Sequence, residues 1–192
     1  MQHASGAHSP GAPRHMTHVE SRTPAHAEDG VDPSTFRRVL GHHATGVCVV
    51  TTVSEAGAPV GMTVNSFASA SLSPPLVAFF ANPQSRTFLA IAASRRFCAN
   101  MLGADQGDLC RRFAKTSQTK FEGVDYRVSA VGAPILHGAI AWIECSLHSV
   151  AEAGDHMLVL GRTRALGVTG AEMPLVAFRG SLGGFATSPD DH

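Results

Sequence analysis

The chain has 192 residues, 44% of them hydrophobic and 16% charged, which is enough for one domain with a substantial core. Its 15 Lys and Arg balance 15 Asp and Glu. That balance argues against nucleic acid or an anionic membrane as the main partner, since both need a clustered positive field; it also gives little protection against self-association. No apolar run approaches a membrane span, and the N-terminus lacks the apolar segment of a secretory signal, so a cytoplasmic protein is expected. The four cysteines, Cys48, Cys98, Cys110 and Cys145, form no Cys-x-x-Cys pair and sit among apolar neighbours. They read as buried thiols in a reducing compartment, with no metal site expected.

In chain order, residues 1–31 read as a disordered tail, rich in His, Pro, Ala, Gly and Ser and almost without large apolar side chains. The irregular spacing of His3, His8, His15, His18 and His26 fits incidental composition better than metal binding. A folded domain is expected over residues 32–187, with a short tail at 188–192. Asp32 and Pro33 supply an N-cap and a first helical residue, and Phe36, Val39 and Leu40 form a helical stripe. Residues 47–53 are an apolar, β-branched run, followed by a turn at Glu55-Ala56-Gly57-Ala58.

The next stretch, residues 61–75, is unusual. Thr63, Asn65, Ser69, Ser71 and Ser73 recur at every second position apart from a gap at Phe67. Drawn as a strand, it has one uncharged polar face and one mainly apolar face. Such a face either hydrogen-bonds a flat polar ligand or is the wet side of an edge strand. Residues 76–81 read as a buried strand. Asn82-Pro83-Gln84-Ser85-Arg86-Thr87 then opens a helix that extends to about residue 93. Its N-terminus is either an anion seat or a plain Ser85 cap.

A strand is expected at 97–102, a helix at 105–114 and a polar loop at 117–125. A long strand follows within 135–150, bent at Gly138, then a hairpin turn at Gly154-Asp155, a partner strand over 156–166 and a short strand at 175–178. Six or seven strands and three helices, dominated by antiparallel hairpins, give a mainly β domain; the regularity suggests a closed barrel with peripheral helices.

Several chemistries are excluded. No Gly-x-Gly-x-x-Gly follows a strand, and Gly-x-x-x-x-Gly-Lys, Gly-x-Ser-x-Gly and His-Glu-x-x-His are all missing. Carboxylates are sparse in the folded part, which weakens a paired-acid hydrolase. A polar wall without an evident nucleophile fits a protein whose bound cofactor carries the chemistry. His156, after Gly-Asp at a hairpin, either contacts a ligand or is an ordinary surface residue.

The run Thr63-Val64-Asn65-Ser66-Phe67-Ala68-Ser69-Ala70-Ser71-Leu72-Ser73-Pro74-Pro75 resembles the signature of the flavin reductase family, the small components of two-component flavin-dependent monooxygenases. Ser85-Arg86-Thr87, Arg112-Phe113-Ala114, Gly154-Asp155-His156 and Phe178-Arg179-Gly180 follow in the family's order, so the resemblance spans about residues 32–180. It implies an antiparallel FMN-binding split β-barrel working as a homodimer. It also implies NADH- or NADPH-dependent reduction of FMN or FAD, the reduced flavin passing to a separate monooxygenase. Carried over by motif, Thr63, Val64, Asn65, Ser66 and Phe67 border the flavin ring, largely through backbone groups, and Ser69 and Ser71 continue the wall. Ser85, Arg86 and Thr87 hold the phosphate, with Arg112 and Phe113 near the same end. His156, the expected catalytic residue, and Phe178, Arg179 and Gly180 meet the nicotinamide dinucleotide. Ser181-Leu182-Gly183-Gly184-Phe185 departs from the family's aromatic ending, often a Tyr, and reads as more flexible. That departure motivates the alternative of a flavin-storing or flavin-sensing barrel without reductase turnover.

Overall fold

A computed structural model describes residues 30–169 and 173–185. The tail expected at residues 1–31 lies outside them up to residue 29, as do the five tail histidines and the short tail at 188–192.

Helix α1 (Pro33–Leu40) starts where Asp32 accepts a hydrogen bond from Thr35 N–H at 2.8 Å, with Pro33 in the first turn. The stripe expected to pack does not pack. Phe36, Val39 and Leu40 are each more than half exposed, and α1 buries no residue.

The main sheet is antiparallel. Its strands are β2 (Cys48–Val53), β3 (Pro59–Val64), β4 (Ala68–Leu72), β5 (Pro75–Ala81), β6 (Arg96–Met101), β9 (Ala141–Ala153) and β10 (His156–Val168), in the order β3-β2-β6-β9-β10-β5-β4. Strand β1 (Thr45–Gly46) joins β11 (Leu175–Phe178) and β12 (Ser181–Gly184) in a second sheet, and β7 (Tyr126–Val128) pairs β8 (Pro134–Leu136). Helices α2 (Arg86–Ser94) and α3 (Gly107–Ala114) complete the described elements. The described residues form twelve strands where six or seven were expected. The long segments 61–75 and 135–150 each divide in two, and β1, β7 and β12, of two to four residues, are too short to leave a periodic signal. The segment 181–184, read as flexible, is β12, paired along its length with β11.

The architecture is mainly β with peripheral helices, but the sheet does not close. Both β3 and β4 are edges, although adjacent in sequence. Residues 65–67 between them leave the ladder, and the Ser66 hydroxyl accepts from the Phe80 backbone N–H at 3.0 Å. This side-chain bond links the β3–β4 connection to β5 across the slit where a closed barrel would have a further ladder. The single polar face expected for 61–75 is broken at the same place.

The sheet curls around a core of Val50, Phe79, Ile91, Phe97, Cys145 and Val159, all fully buried. Burial of aromatic and branched side chains of this size stabilises by about 1.5–3 kcal/mol each. Phe79 and Phe97 meet edge to face at 5.4 Å. β9 and β10 form the longest hairpin, turning at Gly154 with φ +64°. Within it Gly161 faces Phe97 so closely that a Cβ would stand 2.3 Å from the ring, so no larger residue fits unless the core moves. All four cysteines are buried and unpaired, and burial pushes the Cys48, Cys98 and Cys145 thiols up to about 12.

Candidate active site

β3 pairs with β2 only, so its other backbone edge has no ladder partner. That edge opens on a cleft of about 670 Å³, within the range of small-molecule sites. One wall is residues 59–66. The others are residues 80–82, the start of α2 at 84–87, and the end of α3 with the loop after it, residues 113–118, Lys120 and Phe121; His156 stands at the rim.

Residues from four separate elements meet here because non-local pairings bring them together. α3 lies on β3: the Thr63 hydroxyl donates to the Cys110 carbonyl at 2.7 Å, and a Cβ on Gly61 would stand 2.7 Å from the Phe113 ring. Gly61 thus permits this close approach. The register Met157↔Ala81 sets His156 beside Asn82. His156 Nδ1 lies 2.7 Å from Asp155 Oδ1. Asp155 is held below the usual carboxylate range, first by that hydrogen bond and then by the imidazole's charge, with Arg37 of α1 a smaller contributor.

One end of the cleft is cationic. The Arg86 guanidinium donates to the Ser117 carbonyl, and Lys120 Nζ donates to the Gly61 and Phe113 carbonyls at 3.1 and 2.9 Å. Burial, and then the Arg86 charge, lower the Lys120 pKa. Neither cation has a carboxylate partner among the described residues, whose ion pairs are Arg111–Asp108 and His156–Asp155. Two cations beside a helix N-terminus, with no carboxylate among the described residues paired to them, make a seat for an anionic group. Ser85 fills the plain role at that helix: its side chain is the N-cap, accepting from Phe88 N–H, and its hydroxyl donates to Met62 Sδ at 3.3 Å.

Of the residues expected to form the site, Thr63, Val64, Asn65, Ser66, Ser85, Arg86, Thr87, Phe113 and His156 line this cleft. The others do not. Phe67 turns inward and packs against the barrel core, and Ser69 and Ser71 lie on the far edge strand β4. Arg112 faces a neighbouring cleft, where its guanidinium donates to the Glu122 carbonyl at 2.7 Å. Phe178, Arg179 and Gly180 form the β11–β12 turn beside α1, where Arg179 N–H donates to the Gly41 carbonyl at 2.8 Å. The polar loop 114–118 with Lys120, and Phe80, also line the cleft but were not singled out; Lys115 and Lys120 in an otherwise neutral polar run were the one available signal.

Comparison with known proteins gives the family. Residues 40–186 match the model of the flavin reductase like domain. The chain belongs to the flavin reductase-like family. It is 47% identical over 156 residues to a flavin reductase of Pseudomonas putida, covering 81% of this chain and 92% of that one. It is 44% identical to HsaB, the reductase subunit of a flavin-dependent monooxygenase of Rhodococcus jostii, covering 82% and 80%. Among solved structures, the NADH:FAD oxidoreductase SgcE6 of Streptomyces globisporus superposes with a TM-score of 0.77 at 35% identity, covering 86% of this chain and all of that one. This flavin reductase therefore has the split-barrel fold of its relatives and is an NAD(P)H-dependent enzyme.

The cleft fits a flavin on its own chemistry. An unpaired β edge supplies neutral donors and acceptors to a flat heterocycle, Phe113 and Phe121 supply an apolar floor, and Arg86 with Lys120 supplies counter-charge for a phosphate.

Proposed function

We propose that this flavin reductase binds FMN or FAD in the cleft along residues 61–66, takes its reducing equivalents from NADH or NADPH, and delivers reduced flavin to a separate monooxygenase. The observation that carries the site assignment is the union, in one cleft, of a neutral β edge and an unbalanced pair of cations. Bound there, a flavin supplies the redox chemistry, accepting a hydride from the nicotinamide.

The protein's part is positioning. The backbone edge from Gly61 to Ser66 orients the ring without a fixed charge, so oxidised and reduced forms are both held and neither is trapped. Arg86 and Lys120 anchor the phosphate, while Thr87 and Ser117 border it. His156, steadied by Asp155, guides the nicotinamide to the open side. The dinucleotide then extends over α1 toward Phe178, Arg179 and Gly180. One contact supports this path: the Gly41 carbonyl just after α1 accepts from the Arg179 backbone N–H at 2.8 Å.

The exposed apolar side chains, with Leu72 at 90% and Val168 at 81%, support a homodimer in which a second copy covers part of this surface. No helix among the described residues is long and apolar enough to cross a membrane. With four reduced, buried thiols, this supports a cytoplasmic location. The domain is assigned to residues 32–187.

The test is oxidation of NADH and NADPH followed with FMN, FAD and riboflavin in turn. Flavin-dependent oxidation is expected; its absence with both nucleotides would refute the reading.

A further inference from the structure

A second cleft, of about 440 Å³, adjoins the first. Arg111, Arg112, Lys115 and Lys120 line it, against the carboxylates Asp108 and Glu122. Cations thus outnumber anions four to two. Arg111 meets Asp108 at 2.7 Å, Arg112 is held by the Glu122 carbonyl, and Lys115 forms neither a hydrogen bond nor an ion pair with any described residue.

The two clefts share Lys115, Ser117 and Lys120, whereas His156 belongs to the first alone. They therefore join at the cationic end. A flavin mononucleotide ends in one phosphate, which the Arg86–Lys120 seat accounts for. Nothing in that ligand reaches the surplus charge beyond. A dinucleotide flavin continues from the same phosphate into a second phosphate and an adenosine, and its exit from the seat leads into the second cleft.

We propose that the second cleft takes the adenosine-phosphate half of FAD, so that the enzyme holds FAD more tightly than FMN, with Arg111 as a specificity-determining residue. The proposal rests on the flavin reading of the first cleft. NADH and NADPH carry an adenosine phosphate too, but they approach from the His156 side. Placement of the cleft at the phosphate seat favours FAD.

The experiment measures dissociation constants of FMN and FAD by flavin fluorescence, and KM for NADH and NADPH, in the wild type, Arg111→Glu and Arg111→Gln. Arg111 lies outside the first cleft, and its side chain is 60% exposed. Wild type is expected to bind FAD more tightly than FMN. Arg111→Glu is expected to weaken FAD about tenfold, by reversing a charge beside a phosphate, with FMN and both KM values within about twofold. Arg111→Gln is expected to show a smaller loss of the same kind, and retained FMN binding shows that each variant is folded. Equal binding of the two flavins by the wild type, parallel loss of both in the variants, or a change confined to the KM for NADH or NADPH would overturn the proposal. Failure of the wild type to bind either flavin would instead overturn the function on which it rests.

Discussion

Arg86 and Lys120 are the pair on which the binding account turns. Both are committed to backbone carbonyls, which fixes their positions, yet neither charge is met by a carboxylate among the described residues. Arg86→Gln is expected to raise the FMN dissociation constant about tenfold to a hundredfold, the worth of a charge-assisted hydrogen bond of about 1.5–3 kcal/mol. Riboflavin, which has no phosphate, is expected to bind both forms equally; equal weakening of both ligands would place the phosphate elsewhere. The depressed Lys120 pKa gives a pH signature. Its folded value lies below the usual 10.5, so the charged form costs folding free energy at neutral pH, and that cost is relieved as pH rises from the folded value to the unfolded one. A phosphate needs the charged form. FMN affinity is therefore expected to fall with rising pH already below the ordinary lysine value of 10.5, while riboflavin affinity does not follow. Titrations of both ligands across that window check it. His156→Ala is expected to raise the KM for NADH or NADPH several-fold with flavin affinity within about twofold, because His156 stands beside Asn82 and bonds to Asp155, not to Arg86 or Lys120. Steady-state kinetics beside flavin titration separates the two.

At the scale of elements, the site depends on how tightly sheet and helix approach. Gly61 admits the Phe113 ring, and Gly161 admits Phe97 in the centre of the barrel. Gly161→Ala is expected to cost about 1–3 kcal/mol by overpacking, lowering the melting temperature by several degrees in a chain of this size. An unchanged melting curve would mean the core relaxes freely there. Much of this was legible in sequence. Asp32 and Ser85 marked two helix starts by their capping chemistry, and Gly154-Asp155 marked the long hairpin. The run 63–66, which lines the cleft, was legible as a neutral polar stretch, and Arg86 as part of a helix start that is either an anion seat or a plain cap. What escaped has physical reasons. Alternation stops at Asn65, because Ser66 bonds sideways to β5 and Phe67 turns into the core; a period of two cannot report a chain leaving its ladder. Residues 178–180 are placed by the pairing of β11 with β1, more than a hundred residues earlier in the chain, which no local pattern encodes. Lys120 sits in a loop whose position depends on the packing of Phe121 against Phe113.

For the whole molecule, the seven-stranded sheet acts as a rigid frame whose two edges, β3 and β4, do not meet. Leaving the barrel split provides the unpaired backbone edge on which the proposed flavin site rests; a closed barrel would have consumed it. Among the described residues, Phe36, Val39 and Leu40 of α1 are more than half exposed, and Phe178 is 44% exposed. Sedimentation velocity is expected to give about twice the 20.1 kDa chain mass, and a monomer at micromolar concentration would refute the homodimer. We propose that the flavin lies along the free edge of β3. A crystal structure of the protein with FMN tests it most directly. The ring is expected against the backbone of residues 61–66, with the phosphate between Arg86 and Lys120. A flavin bound elsewhere, or a phosphate turned away from those two cations, would contradict the claim.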